Sequence, residues 1–127
     1  MELPETLKYT ESHEWIADNR DGTVTVGITA VAAEQLGDLV YVELPQVGTR
    51  VTRGANCAVV ESTKAAAEVY APVAGEVVAA NADLGKSPER VNQSPYGEGW
   101  LFKLKVADRA ELDSLLARDA YAKSAGA

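Results

Sequence analysis

A weak internal repeat in the middle of the chain is the feature that most constrains its fold. The segment PQVGTRVTRGA, which begins at Pro45, aligns with PVAGEVVAANA, which begins at Pro72. The four matched pairs are Pro45 with Pro72, Gly48 with Gly75, Val51 with Val78 and Ala55 with Ala82. Proline and glycine ahead of an apolar run are typical of a turn that leads into a strand. The repeat therefore predicts two similar β units, packed as two sheets about a pseudo-twofold axis.

Strand patterns also flank the repeat. TVTVGIT, from Thr23 to Thr29, alternates apolar and polar residues, and Asp21 and Gly22 supply a turn before it, so a hairpin entered from HEWI is predicted. DLVYVELP has strand character and stops at Pro45. WLFKLKV predicts a half-buried strand near the end of the chain, with one apolar and one basic face. The apolar face holds Trp100, Phe102, Leu104 and Val106, and the basic face holds Lys103 and Lys105.

Three segments have helical patterns. TAVAAEQLG predicts a short helix with Thr29 as N-cap and Gly37 just past its end. SPERVN predicts one helical turn with Ser87 as cap and Pro88 in the first helical position. A C-terminal helix is predicted over about residues 108–124. Its signals are Asp108 as N-cap, Glu111 in the capping-box position, and a stripe of Leu112, Leu115 and Leu116.

Length, charge and cysteine content limit the class of protein. The 127 residues, 46% of them hydrophobic, suit one domain over residues 1–127, and we expect a monomer. A formal charge of −7 argues against nucleic acid or an anionic membrane as partner. One cysteine, Cys57, forms no internal disulfide, and neither a signal peptide nor a membrane-spanning run is found in the sequence. We therefore expect a cytoplasmic protein.

Lys64 stands alone between a valine-rich run and a run of alanines. Glu61 and Glu68 lie three before and four after it, the spacing of ion pairs on a helix, and the alanines favour a helix as well. The repeat favours a different structure, because it puts Lys64 on a tight turn between the strands CAVVES and AEVYAP. The hairpin is the preferred interpretation.

Six segments of the chain together resemble the H proteins of the glycine cleavage system, a family of lipoyl carriers. In order they are YTESHEW, VGIT, LGDLVYVELPQVG, VVESTKAAAEVYAPVAGEVV, PERVN and SPYGEGWL. The resemblance covers most of the chain up to Val106. It implies a mainly β fold, the flattened barrel of two small antiparallel sheets known from lipoyl domains, with short flanking helices and the C-terminal helix.

The same resemblance implies that Lys64 carries lipoic acid as an N6-lipoyl amide. The arm would take an aminomethyl group from a pyridoxal-phosphate glycine decarboxylase to a tetrahydrofolate-dependent aminomethyltransferase, and a dihydrolipoyl dehydrogenase would reoxidise it. Glu61 and Gly75 match positions that a lipoate-attaching enzyme recognises, although Glu61 is equally explained as a solvated strand residue and Gly75 as a turn residue. Thr63 replaces the valine that many members carry before the lysine. The protein would be a carrier and not an enzyme.

Ser12 and Glu14 resemble the family's shelter for the loaded arm, whose primary amine is cationic at neutral pH and needs an anionic host. Glu68 stands where the family often has aspartate, so the charge is kept on a longer side chain. His13 is interpreted as a structural histidine, since no second histidine or cysteine cluster accompanies it to form a metal site. Cys57 lies in a strand pattern without an identifiable base, which argues against a catalytic thiol.

Two other classes of function remain open from the sequence. One is a carrier of the same fold with a different task, such as lipoyl relay to other enzymes or carriage of another acyl-type group. A biotinyl carrier is disfavoured because Thr63 and Ala65, and not methionines, flank the lysine. The other is an enzyme, which is the weaker interpretation because no Ser/His/Asp set, phosphate loop or metal cluster is present in the sequence.

Overall fold

The computed structural model describes residues 3–125, which form short strands and short helices. In chain order the elements are β1 (Lys8–Tyr9), β2 (Glu14–Asp18), β3 (Thr23–Ile28), α1 (Ala30–Leu36), β4 (Leu39–Glu43), β5 (Arg50–Val51), β6 (Asn56–Ser62), β7 (Ala66–Tyr70), β8 (Gly75–Ala80), a 3-10 helix (Ala82–Gly85), α2 (Arg90–Gln93), β9 (Phe102–Val106), a second 3-10 helix (Arg109–Ser114) and α3 (Arg118–Ala125). None of the helices in this part of the chain has the length and apolar character needed to cross a membrane.

The strands form two antiparallel sheets. The larger has the order β1-β2-β3-β9-β8-β5 and the smaller the order β4-β6-β7. The two repeat units meet in the larger sheet, where β5 of the first pairs with β8 of the second. The predicted class is confirmed: a mainly β fold of two antiparallel sheets with short helices and a C-terminal helix. Within residues 3–125 the strand pairing leaves two sheets of unequal size and does not close them into one barrel.

The β2–β3 hairpin and helix α1 follow the sequence pattern closely. Val24 and Val26 are fully buried, as the alternation requires, and β3 pairs with both β2 and β9. Thr29 caps α1, because its hydroxyl accepts a hydrogen bond from Ala32 N at 3.3 Å, and Gly37 ends the helix with φ +83°. The predicted helical turn in SPERVN is present but begins later than expected, with α2 starting after Pro88.

Strand β9 confirms most of the prediction of which side chains are buried, with one exception. Phe102 and Leu104 are fully buried in the main core. Trp100 was predicted on the same face but lies before the strand and is only partly buried, with the Lys103 ammonium 5.2 Å above its ring. The alternation fails here because β9 begins only at Phe102, and Trp100 packs instead against a separate aromatic cluster around Tyr9, Trp15 and Tyr121.

A C-terminal helix is present, but the prediction of one continuous helix over residues 108–124 is wrong. A 3-10 helix comes first, an extended segment follows, and only then does α3 begin. Asp108 does cap the first piece, accepting from Ala110 N at 2.9 Å, but Glu111 accepts a hydrogen bond from Ala74 N at 2.8 Å and forms no capping box. The break arises at Leu116, whose backbone pairs with Tyr9 through two hydrogen bonds of 2.8 Å. Tertiary pairing with β1 overrides the helical periodicity.

Candidate functional site

Lys64 lies at the tip of the β6–β7 hairpin, so the hairpin interpretation is confirmed and the helical one is wrong. Ser62 closes the turn, because its N–H donates to Ala65 O at 2.8 Å and its hydroxyl accepts from Lys64 N and Ala65 N. The four residues at the tip, Thr63, Lys64, Ala65 and Ala66, are all exposed. The backbone that bears the amine is therefore held by hydrogen bonds, and the neighbouring side chains are small.

The lysine side chain lies beside the end of helix α1. A methyl group placed on Gly37 would be 3.4 Å from Lys64 Cε and 3.8 Å from Nζ. Asn92 fixes this end of the helix, because its amide donates to Gly37 O at 2.8 Å while its carbonyl accepts from Leu39 N at 2.9 Å. The sequence reasoning missed this role of Asn92, whose only signal was its place at the end of the PERVN segment.

The two predicted recognition residues occupy different parts of the molecule. Glu61 is partly buried on β6, where it pairs with Tyr41 on one side and Ala66 on the other. Gly75 is buried in β8, and the suggestion that it serves a turn is wrong, since it lies within the strand. A Cβ there would come within 2.3 Å of Lys105 O, so the close approach of the neighbouring strand requires glycine.

Glu14 is the most unusual acidic residue of the chain because only 1% of it is exposed. Its Oε1 accepts hydrogen bonds from the Thr10 hydroxyl at 2.5 Å and the Ser12 hydroxyl at 2.6 Å. Its Oε2 lies 3.4 Å from Tyr70 N, a long contact that leaves this oxygen capacity for a further donor. A buried carboxylate with hydroxyl donors on one oxygen is suited to hold a cation on the other.

Ser12 and Glu14 open onto a cleft of about 580 Å³. Four segments line it: the turn before β2, the segment between β5 and β6, the end of β7, and the segment between the second 3-10 helix and α3. Representative lining residues are Tyr9, Ser12, Glu14, Arg53, Tyr70 and Leu116. The cleft is large enough for an extended acyl chain. Its lining is both polar and apolar, and it includes the buried Glu14 and the basic Arg53.

Glu68 is exposed on β7 and contacts the cleft only through Tyr70. The Tyr70 hydroxyl donates to Glu68 Oε2 at 3.2 Å, and this bond raises the pKa of Tyr70 above its ordinary value. Of the predicted site residues, the structure therefore brings Ser12 and Glu14 together and links Glu68 to them through one tyrosine. Lys64 stands at the opposite end of β7 from Tyr70.

The contacts of Cys57 and His13 indicate structural roles for both side chains. Burial, with a smaller contribution from the charge of Glu14, raises the pKa of the Cys57 thiol to about 11, so it is un-ionised at neutral pH. His13 Nδ1 lies 2.6 Å from the Tyr121 hydroxyl, which engages the ring in a hydrogen bond within the fold. Cys57 at this pKa is a poor nucleophile.

Comparison with known proteins gives one consistent result. The family model of the glycine cleavage H-protein matches residues 7–126. The glycine cleavage system H protein of Cronobacter sakazakii is 56% identical over 119 residues, covering 94% of this chain and 92% of its own. That of Laribacter hongkongensis is 56% identical over 124 residues, covering 98% of each. The crystal structure of a glycine cleavage system H protein from Mycobacterium marinum superposes with a TM-score of 0.87 at 41% identity, covering 98% of this chain and all of that one.

Proposed function

This chain belongs to the glycine cleavage H-protein family, the lipoyl carriers of the glycine cleavage system, and we propose that Lys64 holds its lipoic acid. The observation that carries the proposal is the exposed amine at the tip of a closed two-strand turn. A lysine ε-amine is a nucleophile on a long flexible stem, so it can be acylated without disturbing the backbone that bears it. The small neighbours Thr63, Ala65 and Ala66 leave room for an enzyme to reach it.

Lipoic acid in amide linkage supplies a dithiolane that accepts and releases the one-carbon unit of glycine. The chain itself contributes position. Ser62 fixes the turn, so the swinging arm starts from a defined point and not from a disordered loop. Gly37 offers a surface without a side chain, beside which the lysine stem lies. We assign the recognition by a lipoate-attaching enzyme to Glu61, near the lysine, and to the strand geometry that Gly75 permits.

We further propose that the cleft shelters the loaded arm, with Ser12, Glu14 and Glu68 as its polar residues. From Ala66 to Tyr70, β7 covers about 13 Å at roughly 3.3 Å per residue, a span of the order of an acylated lysine side chain. Glu14 Oε2 would accept a charge-assisted hydrogen bond from the ammonium of the cargo, while Oε1 stays bound to Thr10 and Ser12. Glu68 adds a second negative charge at the entrance through Tyr70.

The chain works with the other enzymes of the glycine cleavage system. We propose that Lys64 presents its arm in turn to glycine decarboxylase, aminomethyltransferase and dihydrolipoyl dehydrogenase, and that the chain catalyses none of these steps itself. The net charge of −7 favours docking on basic surfaces. We also propose that it acts as a monomer, in the cytoplasm. A tethered arm raises the effective concentration of its cargo at each docked enzyme.

The test is to locate the modification. Protein from its native host is expected to carry one lipoyl amide on Lys64 by intact-mass measurement and peptide mapping. Lys64→Arg should abolish the mass shift and every transfer, since a guanidinium is too weakly nucleophilic at neutral pH to be acylated. Lys86→Arg is the matched control, because Lys86 is also exposed and should leave the modification intact. Lipoate on another lysine with Lys64 bare would refute the assignment.

A further inference from the structure

His13 has an unusual backbone conformation for its place in the molecule. Its φ is +73°, in the left-handed region that residues with a Cβ seldom adopt. It stands between Ser12 and Glu14, so its backbone determines how these two side chains are aimed at the cleft. Such a conformation persists only where the surrounding structure holds it. The contacts that hold His13 therefore also set the geometry of the shelter.

The principal side-chain contact comes from the far end of the chain. Tyr121 in α3 is fully buried, and its hydroxyl lies 2.6 Å from His13 Nδ1 and 2.8 Å from Thr29 Oγ1. Its ring stacks on Tyr9 with centroids 4.8 Å apart and planes inclined by 12°. Burial raises the pKa of Tyr121, which keeps its hydroxyl protonated and able to donate. One hydroxyl thus joins α3, the turn before β2 and the N-cap of α1.

The backbone of the turn completes the arrangement. His13 O accepts from Thr29 N at 2.9 Å, and His13 N donates to Thr10 O at 3.2 Å. Thr10 in turn donates through its hydroxyl to Glu14 and accepts from Glu14 N at 3.1 Å. The carboxylate is therefore tied to a turn whose central residue is held by Tyr121.

We propose that Tyr121 is a positioning residue for the arm shelter, holding His13 in its left-handed conformation so that Ser12 and Glu14 face the cleft. This rests on the proposed role of those two residues. The segment that leads to α3 also contributes Leu115 and Leu116 to the cleft wall, so the C-terminal tail both closes the cleft and aims its carboxylate. Without the Tyr121 hydroxyl, the ring at this position would still stack on Tyr9, but the hydrogen bond that holds the turn at His13 would be lost.

The experiment compares Tyr121→Phe with Tyr96→Phe. Tyr96 is a matched control, because its hydroxyl accepts from Ala30 N at 3.0 Å at the start of α1 and its ring lies near Trp15. Each variant loses one hydroxyl from the same region of the fold. In the unlipoylated protein, amide exchange measured by NMR should accelerate at Glu14 and Thr29 in Tyr121→Phe. In Tyr96→Phe it should accelerate at Ala30 and leave Glu14 unchanged.

The second readout is the lifetime of the cargo on the isolated lipoylated protein, loaded with labelled glycine by the decarboxylase. Tyr121→Phe should lose label about fivefold faster than wild type, the effect of one lost hydrogen bond. Tyr96→Phe should match wild type. In a Glu14→Gln background Tyr121→Phe should add nothing, because both act through the same carboxylate. His13→Ala, which loses the contact with Tyr121 and does not favour a positive φ, should lose label as fast as Tyr121→Phe.

The outcomes separate the two proposals. Faster loss in Glu14→Gln with unchanged loss in Tyr121→Phe and His13→Ala would overturn the positioning role and leave the shelter in place. Equal acceleration by Tyr121→Phe and Tyr96→Phe would also overturn it, since general loosening of the fold would then explain both. Wild-type decay in Glu14→Gln would refute the shelter itself, and the positioning role with it. Lipoylation of Lys64 should be normal in every variant.

Discussion

The turn that bears Lys64 (the lysine turn) and the turn that leads into Glu14 at the start of β2 (the glutamate turn) carry opposite charges and are built in opposite ways. The lysine turn is closed by backbone and Ser62 contacts, and its functional side chain extends into solvent. The glutamate turn buries its functional side chain and binds it through two hydroxyls. A group that must reach several enzymes has to be mobile, whereas a group that shelters a cation has to be fixed before the cation arrives.

The two acidic residues proposed for the shelter provide the strongest test of this difference. Glu14→Gln keeps the hydroxyl contacts on its carbonyl and replaces Oε2, which faces Tyr70 N, by an NH₂ group, which repels an ammonium. We expect the isolated loaded protein to lose its cargo faster, by on the order of 5- to 150-fold for 1 to 3 kcal/mol. Release of labelled formaldehyde and ammonia from the isolated carrier measures the rate.

Glu68→Gln is the matched control for that measurement. Glu68 is exposed, and the interaction of solvent-exposed charges is worth little, so we expect a change of ~2-fold at most. If wild type and Glu14→Gln lost their cargo at equal rates, the buried Glu14 carboxylate would be rejected as the source of protection. A larger effect from Glu68→Gln than from Glu14→Gln would reverse the comparison, because the exposed carboxylate on β7 would then provide the shelter.

The same difference explains how much was predictable from the sequence. Helix α1 and strand β3 follow local rules of alternation and capping, and both were correctly predicted. The lysine turn was also correctly predicted, but from the internal repeat and against a local pattern that favoured a helix. The glutamate turn depends on contacts distant in sequence: Tyr121 lies 108 residues from the histidine that it binds. No periodicity or spacing reports such a contact, so Ser12 and Glu14 were found through family resemblance alone.

The errors have the same origin. The leucine stripe at the C-terminus has helical spacing, yet pairing of Leu116 with Tyr9 competes with the helix and breaks it. In the sequence the alternation of β9 extends back to Trp100, but in the structure the strand begins after this residue. Asn92 joins α2 to Gly37 and Leu39 across more than fifty residues of sequence. In each case a contact between distant segments decided what a local pattern left open.

The next prediction concerns Gly75, one of the two proposed recognition residues. Gly75→Ala places a Cβ against the backbone of β9, which cannot move as a side chain would, so we expect a loss of about 2 to 3 kcal/mol in unfolding free energy. Gly85→Ala is the control, because nothing lies within 4 Å of the added Cβ, and it should be nearly neutral. Urea denaturation of both variants gives the measurement. Equal stability would show that β8 and β9 separate easily, and it would contradict the conclusion that the close approach of β9 requires glycine at this position.

A smaller effect is expected where α2 supports the end of α1, beside the Lys64 side chain. Asn92→Ala leaves Leu39 N–H and Gly37 C=O without their partner, which should cost about 1 to 2 kcal/mol. Asn56→Ala, at an exposed position of β6, is the control and should change stability little. Lipoylation should still occur on Lys64 in both variants, because Ser62 closes the turn independently. Loss of lipoylation in Asn92→Ala at unchanged stability would show that α1 is part of what the attaching enzyme reads.

The smallest expected effect concerns the thiol of Cys57. Cys57 lies on β6, the strand that ends at the lysine turn, and its pKa is raised to about 11 by burial first and by the charge of Glu14 second. Since it is the one cysteine in the chain, alkylation reports on it alone. In the native protein the rate of alkylation should rise about tenfold per pH unit from about pH 8 to about pH 10 without levelling. In urea the rate should level near the ordinary pKa of a thiol.

Because the folded pKa of Cys57 is raised, the contribution of the un-ionised thiol to stability is complete below about pH 9 and is lost as the pH rises toward 11. Glu14→Gln should lower the native pKa only slightly, since burial is the main cause, and Glu68→Gln should leave it unchanged. A native profile that levels near pH 9 would show that water reaches the thiol, and the buried surroundings claimed for Glu14 beside it would then be wrong.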